Sequence, residues 1–85
     1  MKGPAIRGGW VRLDSARLPA SLGVFELTDL EGSWFKFGSA DSRSRFGLRS
    51  AVAEAANGTA GAVHVRFEET MMPATRLREL EASFR

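Results

Sequence analysis

Gly23-Val24-Phe25-Glu26-Leu27-Thr28-Asp29-Leu30-Glu31-Gly32-Ser33-Trp34-Phe35-Lys36-Phe37-Gly38 is the stretch that decides how this chain folds. Residues 23–28 alternate and carry β-branched and aromatic side chains, so they read as a strand. Residues 29–33 supply turn chemistry, with Gly32 available for a positive φ. Trp34 to Phe37 read as the return strand, and the two together make a hairpin. Three aromatic residues in four would be an aggregation hazard if left bare, so other elements must pack on them. Alternation places Phe25 and Lys36 on one side, with Val24 and Phe37 turned to the core.

Downstream, residues 39–45 are polar and read as a loop. Leu48, Val52 and Ala55/Ala56 then repeat at helical spacing, which predicts a helix from about Phe46 to Ala56. Asn57-Gly58 is its stop signal, and Gly47 weakens its first turn. Val63 to Glu68 alternate: Val63, Val65 and Phe67 on one side, His64, Arg66 and Glu68 on the other. That pattern predicts a strand covered on one face. Pro73 opens a last helix, Ala74 to about Phe84, with Leu77, Leu80 and Phe84 as its apolar stripe. Upstream, the breakers Gly3-Pro4 and Gly8-Gly9 isolate Trp10-Val11-Arg12-Leu13, an edge strand or packed arm anchored by Trp10. The fold class is α+β, in the order strand, strand, helix, strand, helix after an arm.

The chain has 85 residues, the size of one small domain with a thin stability margin. It has no cysteine, which excludes disulfides, cysteine zinc sites and thiol catalysis together. A small domain without a staple leans on a protein partner or a second copy of itself, so a homo-oligomer is an open expectation. The net charge of +2 permits nucleic-acid contact without demanding it. Met1-Lys2-Gly3-Pro4 leads into no apolar stretch of signal-peptide length, and no run approaches the ~20 apolar residues of a membrane span. A cytoplasmic location with no membrane partner is the default. His64, the sole histidine, has no second ligand at metal spacing and reads as a surface residue.

Four fragments resemble one known family. Leu18-Pro19-Ala20-Ser21-Leu22-Gly23-Val24-Phe25 is similar to the LPxxPGVY opening of GIY-YIG nuclease domains. Gly32-Ser33-Trp34-Phe35-Lys36-Phe37-Gly38 is similar to their second half-motif. Ser42-Arg43-Ser44-Arg45-Phe46-Gly47-Leu48-Arg49 resembles the GRSxFGLR pattern of a small bacterial branch. Thr75-Arg76-Leu77-Arg78-Glu79-Leu80 resembles that branch's TRYxEL helix. The likeness implies an N-terminal arm over 1–17 and a GIY-YIG-like domain over 18–85, with a three-stranded antiparallel sheet flanked by helices.

The family cuts DNA phosphodiesters with two tyrosines, a helix arginine and a glutamate that holds one divalent ion. By position the tyrosines fall on Phe25 and Lys36, and the chain contains no tyrosine at all. Phe25 keeps the ring but cannot relay a proton, and Lys36 puts a cation where a phenol would stand. Arg49 matches the helix arginine, with Arg43 and Arg45 as further phosphate-binding candidates. Glu79 matches the Mg2+ ligand; the helical wheel favours Glu81, which flanks the apolar stripe. The plainer alternatives stay open: Phe25 as packing, Lys36 and the arginines as solvated charges, and the last helix as an ion-paired face. The resemblance thus implies a degenerate domain with weak or no nuclease activity that binds nucleic-acid phosphates. The alternative is a catalytically silent accessory subunit or protein-interaction module, with Trp10, Trp34 and Phe35 as contact residues.

Overall fold

The strand Gly23–Thr28 (β2) is buried along its whole length, because both its edges are paired and both its faces are covered. The computed structural model describes Ile6 and residues 9–83. The breaker Gly3-Pro4, Gly8 and the stripe residue Phe84 lie outside them. β2 pairs antiparallel with Phe35–Ala40 (β3) on one edge and with His64–Glu69 (β4) on the other. The short strand Val11–Arg12 (β1) adds to β4, giving the order β1-β4-β2-β3. The sheet therefore has four strands where three were expected. The arm supplies the fourth, with Val11 opposite Val65 and Arg12 opposite His64. It stops at two residues because the chain turns away in a 3-10 turn, Leu13–Ser15, after the Leu13 N–H has bonded to the Val63 carbonyl at 2.8 Å.

Helices Leu48–Asn57 (α1) and Pro73–Ser83 (α2) cover opposite faces of the sheet. Alternation along β2 explains the two layers. Phe25 and Leu27 point towards α1 and pack with Leu48, Val52, Val65 and Ala40. Val24 points the other way and packs with Leu80 and Ile6, with Leu77 and Phe37 against them. Val24 and Phe37 do face a core, as expected, but so does Phe25, only 2% exposed. The sheet has two cores, one per face. The same correction applies to β4, expected to be covered on one face only. Val65 and Phe67 pack towards α1, while Arg66 lies beneath the Trp10 ring and Glu68 bonds to Arg76 of α2.

Element boundaries move for local reasons. β3 continues to Ala40 instead of ending near Phe37, because Phe25, Val24 and Gly23 go on pairing with Gly38, Ser39 and Ala40. α1 starts at Leu48 instead of Phe46, because Gly47 has φ +57°, which no right-handed helix accommodates. The hairpin turn is as read: Gly32 has φ +70°. The Asp29 carboxylate accepts the Ser33 N–H at 2.8 Å and also the Ser33 hydroxyl. No helix among the described residues is long and apolar enough to cross a membrane.

Candidate nucleic-acid interface

Between β3 and α1 runs an open groove of about 370 Å³, lined among others by Phe25, Lys36, Gly38, Ser44, Ala51 and Glu54. It exists because its walls are made of small residues. Ala51 and Ala55 fall at helical spacing on the side of α1 that faces β3. Gly38 stands directly opposite Phe25 in the hairpin register. A side chain at 38 would collide with the Phe25 ring, whose Cε1 and Cε2 would lie 2.8 and 2.9 Å from the added carbon. The ring thus lies across the bare glycine and forms the floor of the groove. It is a packing residue with no polar atom, and its loss would cost about 3–5 kcal/mol, the usual range for a buried aromatic.

Lys36 stands at one end of the groove, where its Nζ donates to Thr59 Oγ1 at 3.0 Å. The other end is the 41–47 loop, which carries Arg43 and Arg45. Arg43 bonds to Asp41 through its backbone N–H at 2.9 Å and its guanidinium at 3.2 Å. The backbone bond first, then the side-chain bond, hold the Asp41 carboxyl below its usual range. Arg45 has its guanidinium carbon 5.6 Å from the centroid of the Phe46 ring. Arg49 donates from Nε to the Leu18 carbonyl at 3.1 Å and so ties the segment before β2 to α1. The first amides of α1 are occupied as well: Leu48 N–H bonds to Ser21 O at 2.9 Å and Arg49 N–H to Pro19 O at 3.2 Å. Its N-terminus therefore presents no open cradle to an anion.

Of the residues matched to the nuclease site, the structure brings Phe25 and Lys36 to one groove and sets Arg49 on the helix that walls it. It does not bring Glu79 or Glu81 there. Both ride on α2, across the sheet, since α2 packs on Val24 and Phe37 while α1 packs on Phe25 and Leu27. Glu79 lies 3.5 Å from Arg76 Nη1, and Arg76 also bonds Glu68 at 2.7 and 2.9 Å. Those bonds, Glu68's foremost, hold the Arg76 proton more tightly than usual. A carboxylate that shares its surroundings with a guanidinium is poorly placed to hold a divalent cation. Among the described residues no three Asp, Glu or His side chains gather at metal-ligating distance. Glu79, the position matched to the ion's ligand, is engaged by Arg76 instead.

Trp10 and Trp34, expected as partner contacts, are engaged within the molecule. Trp34 packs against the α1 core. Trp10 lies over Arg66 at 4.5 Å and stacks with Phe35 at 6.0 Å. Beneath Trp10, Arg66 donates to Glu26 at 2.8 Å, and Glu26 is only 1% exposed, its Oε2 without a hydrogen-bond partner among the described residues. Sequence reasoning passed over this pair, although Glu26 in an otherwise apolar strand was a visible signal. It also passed over Glu54, the one acidic side chain on α1, and over Phe46 as a presented aromatic. Comparison with protein-family models, with curated proteins and with solved structures finds no significant match.

Proposed function

We propose that this chain is a degenerate GIY-YIG-like domain that binds nucleic-acid phosphates along the β3–α1 groove, with little or no hydrolysis. The distribution of ion pairs carries the reading. Arg12, Arg66 and Arg76, away from the groove, each bond to a carboxylate. On the α1 side of the sheet, Lys36 lines the groove together with Glu54, while Arg45 on the adjoining loop and Arg49, bonded to the Leu18 carbonyl at the other side of α1, lie outside its lining; these three cations have no carboxylate partner among the described residues, and Arg43 is matched by Asp41. Arg17 and Arg78 are the other described cations without one. Exposed cations left unneutralised on one face are the electrostatic footprint of a polyanion site. The chemistry of cutting finds no such support: Phe25 lacks a hydroxyl, Lys36 replaces the second phenol, and Glu79 is spent on Arg76 across the sheet.

Fluorescence anisotropy against a labelled DNA fragment tests the proposal. Three phosphate contacts at ~0.7–0.9 each predict a log–log salt slope near −2 to −3. On the shallower slope, affinity falls roughly 20-fold between about 50 and about 200 mM salt. Lys36→Ala and Arg45→Ala should each flatten the slope by about one contact. No binding at low salt, or binding indifferent to salt, removes the proposal.

A second reading, a protein-interaction module, rests on Met71 and Met72, which are 82% and 63% exposed at the β4–α2 corner. Flexible thioethers suit an adaptable interface. Light scattering that returns a monomer at every concentration removes the self-association form of that reading.

A further inference from the structure

The loop that closes the groove holds an aromatic ring in solvent. Phe46 is 51% exposed although it precedes α1, whose buried face is already filled by Leu48 and Val52. Its backbone is fastened from several sides. The Phe46 N–H donates to Ser50 Oγ at 3.1 Å, and its carbonyl accepts the Arg49 N–H at 3.2 Å. The next residue, Gly47, is buried at φ +57°, and its N–H bonds to Ser44 O at 3.1 Å. A Cβ at 47 would come within 2.5 Å of the Ser21 backbone. Gly47 is therefore wedged against residues 20–21, and the chain around it is fixed. Phe46 stays outside because its anchor points hold it there. The Arg45 guanidinium lies 5.6 Å from the ring centroid, so charge and aromatic surface are presented together.

We infer that Phe46 is a base-stacking platform and that the α1 face prefers single-stranded over double-stranded nucleic acid. This rests on the phosphate-binding reading above and adds the class of strand. An exposed ring beside cations is the arrangement that tracks unpaired nucleic acid, since every base offers a π-face once it leaves the duplex. A paired base is already stacked and cannot lie on the ring. β3 from Lys36 to Ala40 is about 13 Å long at ~3.3 Å per residue, room for a short run of phosphates beside Lys36. The small groove residues Gly38, Ser39 and Ala51 leave that path open.

The test compares a labelled 12-nucleotide single strand with the same sequence as a duplex, at low salt, for the parent chain, Phe46→Ala and Phe46→Trp. The parent should bind the single strand about tenfold more tightly, within the range that one base–aromatic stack contributes. Phe46→Ala should lose most of that preference, while its duplex affinity, salt slope and thermal midpoint stay at parent values. Phe46→Trp should keep the preference, and its added indole emission should be quenched on binding. Equal binding of both strands by the parent, or a preference that survives Phe46→Ala, overturns the stacking inference and leaves the phosphate site standing. Phe46-dependent capture of anionic vesicles that matches capture of the single strand overturns it in favour of a membrane surface. No binding of either nucleic acid overturns the phosphate site and the stacking inference together.

Discussion

Gly38→Ala should destabilise this domain, although glycine-to-alanine exchange in a strand is ordinarily favourable. Gly38 has no left-handed backbone, so alanine meets no conformational penalty there. Reduced freedom of the unfolded chain would by itself stabilise by about 0.4–1 kcal/mol. The added methyl, however, would enter the space of the Phe25 ring, closer than 3.0 Å to Cζ, Cε1 and Cε2. Leu27, Leu48 and Val52 pack on Phe25, so the ring can yield only towards the groove it floors, at the expense of those contacts. Overpacking of this kind costs about 1–3 kcal/mol. The net loss should be about 1–2 kcal/mol, a fall in Tm of roughly 4–16 °C for a domain of this size. Urea titration followed by circular dichroism measures it. A second variant isolates the cause: Phe25→Leu loses packing of its own, but Gly38→Ala placed on that background should cost much less than on the parent. The coupling between the two sites should exceed about 0.5 kcal/mol, as expected for residues in direct contact. A Gly38→Ala chain as stable as the parent, or additive effects in the cycle, would mean that the ring does not lie on Gly38.

Other consequences can be checked independently. Arg66→Met should cost about 3 kcal/mol or more, because it strands the buried Glu26 carboxylate. Glu26→Leu combined with Arg66→Met should recover most of that loss in the same urea assay, and a double variant no better than the single would refute the pairing. Introducing the two phenols that the resemblance implies, Phe25→Tyr with Lys36→Tyr, should not produce Mg2+-dependent cleavage of a plasmid, since neither Glu79 nor Glu81 reaches the groove; cleavage abolished by Glu79→Ala would contradict this placement. Asp29 should titrate below the usual 3.8, chiefly because its carboxylate accepts from the Ser33 side chain and then the Ser33 backbone. A depressed folded value means that the turn's contribution is complete above the unfolded value and is lost as pH falls through the folded one. Asp29→Asn should remove that acid-side dependence, and an NMR titration of Asp29 with an ordinary midpoint would refute it.

Local pattern was enough to place β2, its hairpin partner and both helices, because period and turn chemistry act over a few residues. The span 23–28, the positive φ at Gly32, the Pro73 start and the Leu77/Leu80 stripe are all properties of near neighbours. Sequence also showed that both expected phenols are absent, a fact of composition that no packing alters. What it left undecided depends on which face meets what. Alternation says that Phe25 and Val24 point opposite ways, but not that each side receives its own helix. The tertiary structure put α1 on one face and α2 on the other, and so divided Lys36 and Arg49 from Glu79. It drew the arm in as a fourth strand and set Trp10 over Arg66. It left Phe46 outside because Gly47 is wedged against Ser21, a contact between residues 26 apart in the chain. Contacts of that kind form only when the sheet closes, and for that reason no reading of neighbouring residues could have supplied them.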